Sequence, residues 1–586
     1  DPENDPHERF QHYGVPPNKQ GDYAYLLHIV RSLNSTGTGA CILPHGVLFR
    51  GNAEAEIRRN LLQRGLIEGI IGLPANLFYG TGIPACIVVI DKAGAASRDA
   101  VFMVDASKGF IKDGNKNRLR EMDIHRIVDV FTRKSEADPK YARRVPLAEI
   151  EGNDFNLNLP RYIDSQEPED IQDIEAHLNG GIPVRDIDAL ERYWAVCPGL
   201  RSALFTERRP GYVDLAVDEA DLKRTIFEHP EFVAFTATME ALFDDWRASA
   251  AARLKSLEPG FHPKELIAEL GEGLLAHYEG KPLVDHYAIY QHLMDYWSET
   301  MQDDAYLIAA DGWKAEPTRI LVKDKKGKTK DKGWTCDLVP KELIVARYFQ
   351  AEAEALDALQ SDLDAATAAR TELEEEHGGD EGALSTVSGK GDAEQVLREA
   401  REAVWASSFP ESFSEYQACM KAVEMHEQAL LEQGEGPYLT VLRNAKGRLN
   451  LGPIKARLKT TADPAERKAL EQYLKSDASR RSQKKKAKSL VAHAEEQVNV
   501  RLRDPDLPAA DLAEVRVLEN YLRLTARMSD LKASIKVTDA ELSRETFHRY
   551  PGLTRTDVSV LVVDDKWLAF LSARLEVELS RVGRGL

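Results

Sequence analysis

Three apolar runs follow one another between Leu66 and Ser107: LIEGIIGLP, IPACIVVID and AVFMVDAS. They are too continuously apolar for strands with one wet face, so each predicts a strand covered on both sides, as in a sheet held between helical layers. A shorter run, ACILP from Ala40 to Pro44, precedes them and is joined to them by GNAEAEIRRNLLQRG. That segment is amphipathic, with acidic residues early, arginines later and Gly65 as its stop, the sense that the helix dipole favours. Ahead of it, GDYAYLLHIVRSL predicts a helix with Tyr25, Leu26, Ile29, Val30 and Leu33 on one face. It ends in NSTGTG, where Gly37 and Gly39 are free to take positive φ. The alternation is that of an α/β fold. Only one helical crossover is visible, whereas a doubly wound sheet needs several, so the pattern predicts half a sheet.

After FNLNLPRYID, Phe155 to Asp164, the period becomes helical to about residue 310, with breaks at Pro198, Pro230 and EPGFHPKE. Residues 311–339 hold RILVKDKKGKTKDKGWTCDLV, two strand-like arms around a lysine-rich turn. From Lys341 to Glu376 the Ala, Leu and Glu density is that of a long solvated helix or coiled coil. HGGDEGALSTVSGKGD reads as a linker, and helical patterns resume to the end with an interruption at LTVLRNAKGRLNL. A chain of 586 residues exceeds one core. The expected division is an α/β part over 1–165, helices over 166–310, a hairpin and long helix over 311–376, a linker over 377–395 and helices over 396–586.

The formal net charge of -19 makes the surface as a whole repel polyanions. A nucleic-acid contact therefore needs a local basic patch or a partner. Two concentrations stand out. Lys323, Lys325, Lys326, Lys328, Lys330 and Lys332 surround the predicted hairpin turn, and Arg480, Arg481, Lys484, Lys485, Lys486 and Lys488 lie on a predicted helix. Charge runs are ordinarily solvated faces; in an acidic chain these two are also candidate phosphate-tracking sites. Five scattered cysteines without C-x-x-C spacing argue against a disulfide framework and a zinc site. With no apolar run of membrane-spanning length and no signal-like start, the expected setting is reducing and cytoplasmic.

The glycines of STGTGA follow a helix and precede a strand, the reverse of a phosphate or dinucleotide loop, so they read as a turn. His28 reads as a packed or capped residue. His45 and Arg50, just past the first strand, occupy the place where α/β sheets collect ligands, and Arg50 is a candidate phosphate contact against a plain salt bridge with Glu54 or Glu56. Phe78 and Tyr79, in NLFYGTG, pose a choice between a plug over the sheet edge and a stacking surface for a planar substrate. Gly80, Thr81 and Gly82 let backbone approach such a substrate closely.

Read together, the words from GDYAYLLHIVRSL to IPACIVVIDKAG resemble the methylation (modification) subunit of type I restriction-modification systems. The resemblance continues through VFMVDASKGF, KNRLREMDI and FNLNLPRYID, densely over about residues 7–165. HRYPGLTRTDVSVLVVDDKWLAFL resembles, more weakly, the C-terminal part of the longer members. The family implies methyl transfer from S-adenosylmethionine to N6 of adenine in duplex DNA. It implies a Rossmann-like sheet flanked by helical regions, here a partial sheet followed by a large mainly α-helical region with a small β-hairpin. It also implies a DNA-specificity subunit, a second methylation subunit and an ATP-driven restriction subunit, and no membrane. Phe78, with Tyr79 second, matches the aromatic that stacks on the everted adenine. Arg50, Lys325, Lys326, Lys328, Lys485 and Lys486 are the candidate DNA contacts.

The family's glycine-rich cofactor loop and its Asn-Pro-Pro-aromatic signature lie N-terminal to the region of resemblance. VPPN, Val15 to Asn18, is not that signature, because Val15 accepts no hydrogen bond and Asn18 does not stack. The expectation is a portion that begins after the catalytic motif, stops early at ELSRVGRGL, and neither binds the cofactor nor methylates alone. The alternative is a non-catalytic DNA-binding or protein-interaction scaffold, its C-terminal helices docked on the specificity subunit.

Overall fold

The three apolar runs become adjacent inner strands. The structure, a computed structural model, describes residues 5–166, 172–323, 329–380, 382–503 and 509–586, with 509–512 by backbone alone. In chain order the sheet region contains α1 (Asp22–Ser32), β1 (Thr38–Pro44), α2 (Ala53–Gln63), β2 (Ile67–Gly72), β3 (Ala85–Asp91), β4 (Ala100–Asp105), a small hairpin of β5 (Ile111–Asp113) and β6 (Lys116–Arg118), α3 (Glu121–Arg133) and β7 (Ala142–Pro146). The five-stranded sheet has the order β1-β3-β2-β4-β7. β3 is antiparallel to both β1 and β2, and β2 is parallel to β4. Hence β1, β2 and β4 point the same way, and their carboxyl ends share one edge.

Each face of this mixed sheet has its own core. Leu26, Leu27 and Val30 of α1 and Ile57, Leu61 and Leu62 of α2 meet Ile70, Cys86, Ile90, Val101 and Met103 on one side. On the other, Ile127 and Phe131 of α3 cover Ile71, Val89, Phe102 and Val104. All six residues of β4 are buried, which explains its unbroken apolar run. β1 ends the sheet with β3 as its one neighbour among the described residues, and its Ile42 is 55% exposed. The buried face of α1 differs from the expected one. Tyr25 points to solvent, 72% exposed, while Tyr23 is buried and donates its hydroxyl to the Val47 carbonyl at 2.8 Å. An aromatic with a polar tip goes where that tip finds an acceptor.

The chain divides into two compact units, Asp1–Ile344 with Arg549–Leu586, and Val345–His548. In the first, helices follow the sheet region, interrupted by a three-stranded sheet of β8 (Ile182–Pro183), β9 (Phe205–Arg209) and β10 (Tyr212–Leu215) that the helical period did not announce. The helix His286–Tyr296 packs on α3, with the Tyr287 hydroxyl donating to Asp129 at 2.8 Å. The two arms of the expected hairpin pair as β11 (Thr318–Lys323) and β12 (Thr329–Thr335), while the lysine-rich turn at 324–328 lies outside the described residues. Residues 549–586 return to this unit. Lys566 and Trp567 bind the buried Asp304 carboxylate at 2.7 and 2.8 Å, and the Tyr550 hydroxyl donates to the Val339 carbonyl at 2.6 Å.

The second unit is helical. Gln350–His377 and Ala509–Arg549 share a seam at Leu363, Ala366 and Met528. Lys390–Ser408, Pro410–Gly434 and Pro464–Arg501 meet around Val404, Trp405, Ala494 and Val498. Leu439, Ile454 and Leu470 close a further packet. No helix among the described residues is long and apolar enough to cross a membrane.

Candidate functional site

The common carboxyl edge of β1, β2 and β4 carries three connections: His45–Asn52 after β1, Leu73–Pro84 after β2, and the turn after Asp105. The first is pinned from beneath. Arg58, on the buried face of α2 and 2% exposed, donates to the carbonyls of Phe155 (2.7 Å), Val47 (3.1 Å) and Arg50 (3.0 Å). A buried guanidinium is tolerated only when its donors are matched. Here the match fixes the His45–Arg50 segment to the helix below it. Glu54, one turn before Arg58 and also buried, has its carboxyl raised above the usual range by burial, with Arg50 working against that rise.

Arg50 is engaged within the fold: its guanidinium lies 2.8 Å from Asp22 and 3.4 Å from Glu54. The Nε2 of His45, on the same connection, is buried and has no hydrogen-bond partner among the described residues. Burial holds this imidazole below its ordinary range, while the Asp105 carboxylate at the end of β4 pulls the other way. Gly72 makes room between them, since a side chain there would run into Leu159 and approach His45 Nε2.

The second connection carries the aromatic pair. Asn76 and Gly80 turn it through positive φ. The β5–β6 hairpin grips it: Asn117 donates to the carbonyls of Ala75 (side chain, 2.7 Å) and Asn76 (backbone, 3.0 Å). Lys116 Nζ reaches the carbonyls of Phe78 (2.8 Å) and Thr81 (3.1 Å). A loop so held at base and tip presents Phe78 at 37% and Tyr79 at 94% exposure. A plug over the sheet does not describe Tyr79, which is almost wholly in solvent beside a cleft of about 460 Å³ lined also by Leu77, Lys116 and Leu119.

The other expected contacts are elsewhere. Lys325, Lys326 and Lys328 lie outside the described residues. Lys485 and Lys486 are exposed on the helix Pro464–Arg501 of the second unit, and Lys486 pairs with Glu415 at 2.6 Å. Arg58, Asp105, Lys116 and Asn117 escaped the sequence reading. Arg58 had a signal: Glu54 and Arg58, four apart, occupy positions on the same helical stripe as Leu61 and Leu62, where a charge predicts a buried partner.

Residues 1–171 match the family model described as N-6 DNA Methylase. The chain is 33% identical over 175 residues to the type I restriction enzyme MpnII methylase subunit of Mycoplasma pneumoniae, covering 30% of this chain and 32% of that one. It is 30% identical over 164 residues to the HindI methylase subunit of Haemophilus influenzae, covering 27% and 37%. Among solved structures, a type I restriction-modification methyltransferase subunit from Streptococcus thermophilus is 41% identical over 28% of this chain and 34% of that one, at a TM-score of 0.26. The chain thus spans about a third of the length of the curated relatives it matches.

Proposed function

We propose that this N-6 DNA methylase region is the distal part of the modification subunit of a type I restriction-modification system, and that it holds an everted adenine for methylation at N6. The observation that carries the reading is the Phe78–Tyr79 pair, exposed on a loop clamped by Lys116 and Asn117 at the edge where α/β sheets take ligands. Stacking on an aromatic contributes about 1 to 3 kcal/mol per base, comparable with the cost of taking a base out of the duplex. Phe78, the less exposed of the two, is the stacking face and Tyr79 its outer neighbour. The sheet reads as one half of a Rossmann-like methyltransferase sheet, with the open side of β1 as the place where further strands join.

S-adenosylmethionine is the methyl donor that this family implies, and the described residues do not compose a site for it. The β1-to-α2 crossing contains Gly46 and Gly51, but the Arg50 side chain packs on Gly46, and the first turn of α2 bears Glu54 and Glu56. The contribution that the described residues support is to receive and orient the base. The partners of the reading are duplex DNA, a specificity subunit, a second methylation subunit and a restriction subunit, in the cytoplasm. Arg50, Lys325, Lys326, Lys328, Lys485 and Lys486 remain the candidate contacts to DNA.

The test joins the chain to the sequence encoded upstream of Asp1 and to its specificity subunit, and follows transfer of labelled methyl groups to duplex DNA. N6-methyladenine is the expected product, with turnover at least ten-fold lower for Phe78→Ala; label in cytosine, or none, rejects the reading. A second reading, a protein-interaction scaffold, is favoured by Met425, Leu431 and Val441, exposed at 62, 73 and 76% in the helical unit. Failure of the full chain to retain the specificity subunit in a pull-down rejects it.

A further inference from the structure

Residues 441–489 hold 15 of the chain's 77 Lys and Arg and only four of its 96 Asp and Glu. The fold buries two of those four acids and gives a third a backbone partner. Glu466 is buried against Arg457 at 2.7 Å. Asp477 is buried between Arg480 (2.8 Å) and Arg481 (2.9 Å). Asp463 caps the helix Pro464–Arg501 through the Ala465 N–H. Among these acids that leaves Glu471 as the one exposed carboxylate without such a partner.

The cations have the opposite fate. Arg481, Lys484, Lys485 and Lys488 recur at helical spacing on one side of Pro464–Arg501, all exposed. Lys484, Lys485 and Lys488 make no ion pair among the described residues, so this row is not the self-neutralised face that most charge runs form. Next to it, the turn Arg443–Leu449, closed by Asn444 accepting from the Lys446 and Arg448 N–H groups, brings Arg443 and Arg448 to a cleft of about 860 Å³ shared with Arg480 and Arg481; Glu435 and Glu427 on its wall pair with Arg443 and Arg480, leaving Arg448 and the lysine row as the cations without a carboxylate partner among the described residues.

We propose that this cationic end of the helical unit is a second nucleic-acid site that tracks the phosphate backbone of a duplex without reading its sequence. The row from Arg481 to Lys488 is about 10 Å long at the helical rise, and a duplex carries a charge about every 1.7 Å of its axis, so one row meets several phosphates. Ser482 and Gln483 lie between the cations and Ser489 just past them, with no aromatic among residues 481–489 to stack on a base, which favours backbone contact over base readout. A membrane surface is the poorer fit: the apolar side of this helix is spent on Pro410–Gly434, around Ala494 and Val498, and no apolar face remains to enter a bilayer. The site deepens the methyl-transfer reading, which already counts Lys485 and Lys486 among its DNA contacts, but its test needs neither the methyl donor nor turnover.

The experiment titrates a 30-base-pair duplex of arbitrary sequence with the full chain between about 50 and 200 mM salt, the range over which phosphate contacts are most readily counted. The variant Lys484→Gln/Lys485→Gln/Lys488→Gln keeps strong helix formers in place. Its affinity is expected to fall at least about ten-fold at low salt, and its salt slope to shrink by about 2 to 3, near 0.9 per lost contact. Lys223→Gln/Lys264→Gln/Lys281→Gln, with the same charge change in the other unit, leaves affinity and slope as they were. Equal affinity and slope for the row variant overturn the proposal, as does loss of binding to anionic vesicles with duplex binding intact.

Discussion

The sheet region and the helical unit 345–548 use their apolar residues differently. Around the sheet, one buried cluster runs from Phe10 through Ile70 and Met103 to Ile163, tying α1, α2 and all five strands into a single body. In the helical unit the core is parcelled: Leu363, Ala366 and Met528 in one place, Leu384, Ala393, Leu518 and Tyr521 in another, Leu439, Ile454 and Leu470 in a third. A continuous core transmits a defect to every strand, and a parcelled one confines it to its neighbours. Accurate placement of a clamped loop belongs with the first, and a surface that need only present charge is served by the second.

The largest effect that tests this contrast is at Arg58. Arg58→Met fills the space but leaves three buried carbonyls unmatched, and is expected to cost about 3 to 5 kcal/mol in urea unfolding. A loss under about 1 kcal/mol would mean that the segment after β1 is held by packing alone. Next, Leu470→Ala removes a fully buried side chain for about 3 kcal/mol. Hydrogen exchange is expected to quicken only around 437–474, whereas Ile70→Ala quickens it throughout the sheet; equal spread in both breaks the comparison.

A smaller effect belongs to Glu578. Burial pushes its carboxyl up, yet His292 at 3.8 Å and the hydrogen-bonded Arg581 hold it at about 2, against an ordinary value of 4.5. The folded state thus binds fewer protons than the unfolded one between these values. The stabilisation is complete above about pH 4.5 and is lost as pH falls toward 2. Glu578→Gln is expected to cost about 1 to 2 kcal/mol at pH 7 and to flatten the acid limb of a thermal-melting profile; an unchanged limb refutes the assignment. The smallest effect is that of Tyr79→Ala, within about 0.5 kcal/mol of the parent because its ring packs on almost nothing. A larger loss would restore the plug.

The inner strands were legible because burial on both faces writes itself as an uninterrupted apolar run. β7 was not: Ala142 and Val145 are buried, but Arg143 and Arg144 between them spoil a pattern only five residues long. Nor was β8–β9–β10, where FTERR has no apolar period to offer. The aromatic pair was legible as a choice, and its clamp was not, since Lys116 and Asn117 meet the loop from some 40 residues away through backbone carbonyls that no side-chain pattern encodes. Tyr23 and Tyr25 are a similar case, for a helical wheel does not know which hydroxyl will find the Val47 carbonyl.

Where the chain departs at Ile344 and comes back at Arg549, the Tyr550 hydroxyl on the Val339 carbonyl and the Trp334 ring against Tyr550 fasten the two crossings side by side. Residues 345–548 therefore leave and rejoin the first unit at neighbouring points, the condition under which an inserted segment needs no rethreading of the strands.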